Sequence, residues 1–172
     1  MYINPSFMMA IEQAIITWIH LVASAIWVGG SLFIAMVFAP VLKTMTSSVE
    51  DRLQIMIKVG RRFNKVAVPS LVILIATGIF NAHQMLIRPD FLFSTSYGVL
   101  LVIKIIFVVG LLAAFGVHVR IIRRDVEQKI TAKQLSDSQI TKLRTKIIIV
   151  GQVTVILSVA ILFMAALLDA GI

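Results

Sequence analysis

The sequence predicts an all-α integral membrane protein, built as a bundle of four transmembrane helices. Apolar residues make up 59% of its 172 residues, and the mean hydropathy is +1.00. Soluble domains carry roughly 25% charged residues, whereas this chain carries 14%. Such a chain has too little polar surface to cover a water-soluble globule. The absence of cysteine also excludes disulfides, thiolate metal sites and cysteine nucleophiles.

Four long intervals of the chain contain at most one charged residue each. A hydrocarbon core of ~30 Å requires ~20 apolar residues of helix. The intervals therefore predict spans at residues 14–40, 66–87, 97–120 and 147–168, within a single membrane domain over residues 1–172. Pro40 is expected to close the first span, and Pro69 is expected in the first turn of the second.

The distribution of Lys and Arg predicts how the bundle is oriented. The loop after the first span carries six cations and the loop after the third carries eight. The remaining loop carries only Arg88, and neither terminus has a Lys or Arg. The positive-inside rule then predicts two cytoplasmic loops, with both termini on the outer side of the cytoplasmic membrane. The cations of the two cytoplasmic loops account for the net charge of +8, so this charge does not indicate a nucleic-acid partner.

Short helical extensions are predicted in both basic loops. The run Ser47-Ser48-Val49-Glu50 resembles a capping box. Apolar residues within 49–63 recur at helical spacing, which indicates a short helix lying on the inner leaflet before the second span. Residues 120–129 are expected to extend the third span. Ser136 or Asp137 is expected to start a helix that leads into the fourth.

Polar groups inside the spans are the candidate functional residues, because an ionisable side chain near the bilayer centre costs ~2.5–3.5 kcal/mol. His20 lies in the outer half of the first span, and Gly29 and Gly30 below it permit close helix approach. The residues within about 40° of His20 on the helix surface are Ser24, Trp27 and Ser31. The alternative is a histidine bonded to a neighbouring helix, with Trp27 simply packing.

Lys104 is predicted at a depth comparable to that of His20, in the third span. No Asp or Glu lies within any span. Lys104 must then pair with a carbonyl, a carboxylate near a terminus such as Glu12, a bound anion or a ligand propionate, unless it snorkels to the outer interface. His118 lies almost four turns further along, roughly 40° away. The two residues could mark opposite ends of an interior stripe, or His118 is an interfacial histidine.

The second span carries a polar face formed by Ser70, Thr77, Asn81 and Gln84. Such a face either bonds helix to helix or lines a path. His83 and Met85 lie near its outer end, at the same membrane face as Met8 and Met9. Because imidazole and thioether ligands suit Cu(I), His20, His83 and Met85 are candidate metal ligands. The bundle offers no paired carboxylates or nucleophile–base pair, so hydrolase and kinase chemistry is excluded.

Three short motifs resemble those of the copper resistance D (CopD-like) family. The first is Trp18-Ile19-His20 followed by Ile26-Trp27-Val28-Gly29-Gly30. The second begins with Arg62-Phe63 and ends with Thr77-Gly78-Ile79-Phe80-Asn81-Ala82. The third is Lys104 followed by His118 and Arg120. Their order and spacing resemble the family over roughly residues 17–124, and the fourth span carries no signature.

The resemblance implies a four-helix membrane domain that handles or transports copper. It assigns His20, Trp27, Asn81 and Lys104 to motif positions, whereas His118 stands where the family typically has Asn. A more distant resemblance, on His20 and Lys104, is to the HemJ-type protoporphyrinogen oxidases, which bind a b-type heme. Two alternatives to copper handling therefore stay open. One is a heme-binding redox protein or porphyrinogen oxidase, and the other is a non-catalytic subunit of a homo- or hetero-oligomeric membrane complex.

Overall fold

A computed structural model describes residues 5–171, except for the side chains of Pro5, Gln84 and Pro89. Every regular element in this range is a helix. Four helical stretches are long and apolar enough to cross a membrane: Ser6–Met45, Val49–His83, Ser96–Thr131 and Asp137–Asp169. The prediction of an all-α, multi-pass membrane protein with four spans is confirmed.

The first helix, α1, runs through five segments in direct succession. These are Pro5–Ser24, the π-helical Ala25–Gly29, Gly30–Phe33, the π-helical Ile34–Phe38 and Ala39–Met45. The other helices are α2 (Val49–Leu86), α3 (Pro89–Ser94), α4 (Ser96–Ile121), α5 (Arg124–Thr131) and α6 (Asp137–Asp169). We call the end that carries α5 and the α1–α2 connection the basic end. The opposite end, which carries α3, is the terminal end.

The prediction that Pro40 closes the first span is wrong, because α1 continues to Met45. A proline ring normally clashes with the carbonyl four residues earlier and lacks the N–H that would bond to it. Here the π-helical segment Ile34–Phe38 ends immediately before the Ala39–Met45 segment that contains Pro40. Its wider turn accommodates the proline without ending the helix.

The prediction of a separate surface helix before the second span is also wrong. Residues 49–63 form the first part of the continuous helix α2, so Pro69 lies in its interior rather than in a first turn. The N-cap is Ser48, one residue later than the predicted capping box, and its hydroxyl accepts from the Asp51 N–H at 3.2 Å. Leu53 of the predicted apolar face is buried against α5 and α6, whereas Val49 of that face is exposed. The neighbouring Ile57, which was not part of the prediction, is buried in the same core.

The third connection is a compact helical segment rather than an extension of the third span. The chain breaks helical geometry at Ile122 and Arg123, and α5 starts a new helix at Arg124. Ser136 caps α6 as predicted, within a capping box completed by Gln139. The side chain of Gln139 accepts from the Ser136 N–H at 2.9 Å.

Two apolar cores hold the helices together. The basic-end core consists of Leu53, Ile57, Ile122, Ile130, Ile140 and Ile147. The central core, inside the spans, consists of Trp27, Ala67, Leu71 and Leu111. Helix α1 packs along α2 and α4 packs along α6, and the π-helical segments of α1 join the two pairs by contacting α6.

Candidate functional site

One face of α1 carries a row of three polar or aromatic side chains spaced seven residues apart. Seven residues make about two helical turns, so these side chains lie above one another. Each forms a hydrogen bond to another helix. The contacts are Gln13 Nε2 to Asn81 Oδ1 at 3.0 Å, His20 Nδ1 to Thr77 Oγ1 at 2.6 Å, and Trp27 Nε1 to Ser158 Oγ at 2.9 Å. Gln13 was not among the residues predicted from the sequence, although its position seven residues before His20 was a usable signal.

The hydrogen bonds around Thr77 determine which nitrogen of His20 carries a proton. Thr77 Oγ1 lies 2.6 Å from the Ile73 carbonyl oxygen, which can only accept. The single hydroxyl proton of Thr77 is therefore used on that carbonyl, and His20 Nδ1–H must donate to Thr77 Oγ1. In the neutral ring, Nε2 then carries no proton and presents its lone pair.

Two further sequence-predicted residues, Gly78 and Lys104, lie near the His20 ring. A Cβ added at Gly78 of α2 would lie 3.7 Å from His20 Cε1, so the ring packs directly over this glycine. Lys104 of α4 is half-buried and lies near enough to His20 for an electrostatic interaction between the two side chains. The two groups that the sequence placed at matching depth therefore lie in the same region of the bundle.

A cleft of about 1320 Å³ opens at the terminal end, above this cluster. Asn81, His83 and Met85 line it, together with Gln13, Arg88 and Tyr97. His20 does not line it and lies two turns deeper along α1 than Gln13. His83 and Met85 are two positions apart on one helix, so their side chains leave α2 about 160° apart.

The described residues contain no group of three or more His, Cys, Asp or Glu side chains positioned to hold a metal ion. The proposed ligand set of His20, His83 and Met85 stays a prediction. Met8 and Met9 lie exposed on α1. The side chain of Gln84, which completed the predicted polar face of α2, is outside the described residues.

Trp27 is the centre of the central core, with only 2% of its surface exposed. Its ring makes an edge contact with Phe115 of α4, with centroids 4.8 Å apart and planes at 77°. It shares the central core with Leu71 of α2 and donates to Ser158 of α6. One side chain of α1 thus contacts both α4 and α6 from within the central core, below the polar cluster of His20.

Of the two glycines beside Trp27, only one lies at a close contact. A Cβ at Gly30 would come 2.3 Å from Phe63 Cε2, whereas one at Gly29 would meet nothing within 4 Å. Arg62, a predicted motif residue, is exposed. Its neighbour Arg61 instead forms an ion pair with Glu127.

His118 lies near the basic end of α4 and is not part of the His20 cluster. Its ring packs on α6, where a Cβ added at Gly151 would lie 3.8 Å from His118 Cε1. Its Nδ1 is buried and has no hydrogen-bond partner among the described residues. A buried polar atom without a partner costs about 1–3 kcal/mol.

Comparison with known proteins places the chain in a family. A family model described as Copper resistance protein D matches residues 57–168, about two thirds of the chain. The match covers Thr77, Asn81, Lys104 and His118 and includes the fourth span, but it leaves out α1. No curated protein and no solved structure matches the chain. Because the family model covers more than half of its length, the chain belongs to the copper resistance protein D family.

Proposed function

We propose that this protein handles copper at the cytoplasmic membrane, with its terminal end on the outer side. Cu(I) enters through the terminal-end cleft, where His83 and Met85 are the first ligands it meets. It then binds His20 Nε2 and moves inward along the bundle. The observation that carries the proposal is the 2.6 Å contact between His20 Nδ1 and Thr77 Oγ1, which leaves Nε2 available to a metal ion.

The contact with Thr77 supports a metal-binding role for His20. Metal-bound histidines almost always donate their second ring N–H to a neighbouring acceptor, which fixes the ring and its tautomer. Thr77 Oγ1 is such an acceptor here, at 2.6 Å from Nδ1. Neutral imidazole and thioether groups are ligands that Cu(I) accepts.

Lys104 favours a monovalent ion over a divalent one at this position. The Lys104 side chain lies near enough to His20 to interact electrostatically with an ion bound there. Coulomb repulsion between Lys104 and a bound ion scales with the charge of that ion, so Cu(II) or Zn(II) would be repelled twice as strongly as Cu(I). The same repulsion keeps Cu(I) binding weak enough to allow release.

The test is a Cu(I) titration of the purified wild type and of single variants. His20→Ala is expected to weaken binding at least tenfold. Thr77→Val is expected to weaken it about 10–100-fold, the usual loss of metal affinity when the hydrogen-bond partner of a metal-binding histidine is removed. His118→Ala is the matched control, since it removes an intramembrane imidazole at the other end and should leave binding unchanged. Equal affinity of wild type and His20→Ala would exclude the proposal.

A second candidate function is the binding of a b-type heme, which is favoured by the side chains that line the terminal-end cleft. His83 and Met85 supply axial ligand types, and Arg88 supplies a propionate partner. Two variants separate the two functions. Lys104→Met removes the charge that repels a bound ion and should tighten Cu(I) binding, whereas Arg88→Gln removes the propionate partner and should lower heme content. An absorption spectrum with no Soret band after heme-sufficient expression would exclude heme.

The same variants test a purely structural role. If His20→Ala and Lys104→Met both lower thermal stability while copper and heme content stay unchanged, the polar cluster serves only to bond the helices. The protein would then be a non-catalytic subunit of a larger membrane complex.

A further inference from the structure

We propose that an anionic phospholipid headgroup binds at the basic end of the bundle, in a cleft between α2 and α5. This cleft has a volume of about 490 Å³ and is lined by Arg61, Arg124, Glu127, Gln128, Thr131 and Ala132. It lies at the opposite end from the His20 cluster and shares no residue with it. The inference therefore does not depend on copper handling.

Helix α5 is held so that one of its faces lines this cleft. Positions 124, 127, 128 and 131 follow the spacing of a single helix face, and all four line the cleft. The apolar side of α5 packs into the basic-end core, where Ile130 is 1% exposed and Val126 lies against the same cluster. This packing fixes the polar face opposite α2, which contributes Arg61.

The lining residues leave the cleft with hydrogen-bond donors and a net positive charge. Arg61 uses Nη1 on Glu127 Oε2, which leaves other N–H groups of its five available to a ligand. Because Glu127 balances the charge of Arg61, Arg124 supplies the excess positive charge, and Gln128 adds an amide donor. Two guanidinium groups can bind phosphate oxygens in bidentate fashion.

The position of the cleft along the helices indicates that the phosphate group it would bind belongs to a lipid headgroup. Arg61 lies five residues before Val66, where the uncharged interval of α2 begins. That separation is about 7.5 Å of helix, close to the ~5–7 Å depth of the headgroup layer on each side of the bilayer. Further cations at the same end are Lys58, Arg62, Lys65, Arg120 and Arg123. A basic cleft at this level is suited to an anionic lipid phosphodiester.

The experiment measures lipid binding by native mass spectrometry of the protein in neutral detergent. Phosphatidylglycerol, phosphatidylcholine and inorganic phosphate are titrated separately. The wild type is expected to retain phosphatidylglycerol and neither of the other two. Arg124→Gln should weaken its retention about fivefold, which corresponds to the ~1 kcal/mol that one cation contributes at an anionic membrane surface.

Two further variants show whether the cleft itself is the site. Lys129→Gln removes one positive charge from the same helix, but Lys129 does not line the cleft, so this variant should bind as the wild type does. Glu127→Gln removes the competing carboxylate and should bind more tightly. Circular dichroism without lipid verifies that all variants are folded, as expected for Arg124 and Lys129, which are exposed.

Three results would overturn the inference. Equal losses in Arg124→Gln and Lys129→Gln would show diffuse attraction to the whole basic end. Unchanged binding in Arg124→Gln would remove the cleft from consideration. Retention of inorganic phosphate without phosphatidylglycerol would make the ligand a soluble anion rather than a lipid.

Discussion

The hydrogen bond between Trp27 and Ser158 makes a quantitative prediction about how α1 is attached to α6. Ser158 Oγ accepts from the indole at 2.9 Å and donates to the Thr154 carbonyl at 2.7 Å. The two possible truncations therefore differ. Ser158→Ala leaves the buried indole N–H without an acceptor, whereas Trp27→Phe leaves the serine hydroxyl bonded to Thr154.

The expected costs follow from this asymmetry. A stranded buried donor costs about 1–3 kcal/mol, so Ser158→Ala should lower the free energy of unfolding by that amount. Trp27→Phe leaves no buried polar group without a partner, but it leaves a space in the core. It should therefore lower the free energy of unfolding by a similar amount. The coupling free energy between the two substitutions should be about 0.6–1.7 kcal/mol, from the average to the maximum measured for hydrogen bonds between membrane helices.

The assay is a double-mutant cycle on unfolding in mixed micelles of increasing denaturing detergent, followed by helical circular dichroism. Ser31→Ala is the matched control, because the Ser31 hydroxyl donates to the Trp27 carbonyl of its own helix and should not couple to Ser158. A coupling free energy between Trp27 and Ser158 inside the additivity error of roughly 0.3–0.5 kcal/mol would refute the reasoning.

Three other substitutions are predicted to change the thermal unfolding midpoint. Gly30→Ala should cost about 1–3 kcal/mol because its Cβ would meet Phe63 at 2.3 Å. Gly29→Ala should be tolerated, and equal midpoints for the two variants would contradict the geometry. Gly98→Ala should also destabilise, since its Cβ would lie 2.4 Å from a backbone carbonyl oxygen of α3. His118→Leu should stabilise by about 1 kcal/mol or more because it removes a stranded nitrogen, and a loss of stability would mean that Nδ1 has a partner.

The number of spans could be predicted from the sequence because the bilayer imposes a local constraint. A span needs ~20 residues without charge, and charge-free intervals are visible in any linear reading. The ends of the helices could not be predicted in the same way. Hydropathy marks where lipid contact stops, whereas α1 and α2 continue into polar sequence, over residues 5–45 and 49–86.

The segment 49–63 shows why an amphipathic pattern is ambiguous. The same spacing of apolar residues serves a helix on a lipid surface and a helix against a protein core. The surface that the helix packs against determines which of the two forms. Here that surface includes Ile130 and Ile140, which lie more than 70 residues from Leu53 and Ile57 in the chain. No local pattern contains that information.

The candidate site was predictable only in part for the same reason. The row containing His20 and Trp27 follows from helical geometry and was visible in the sequence. The acceptors Thr77 and Ser158 depend on which helices are neighbours, which the sequence does not encode locally. The π-helical segments of α1 also lack a signal, because their residues, 25–29 and 34–38, would fit a regular α-helix equally well.

The π-helical segment Ala25–Gly29 lies where the row on α1 changes partner. Gln13 and His20 bond to α2, but Trp27 bonds to α6. The π-helical segments of α1 contact α6, and Trp27 lies inside the first of them. Helix α1 thus bonds to α2 and to α6 with one row of side chains, and the proposed copper ligand His20 lies five residues before the first π-helical segment.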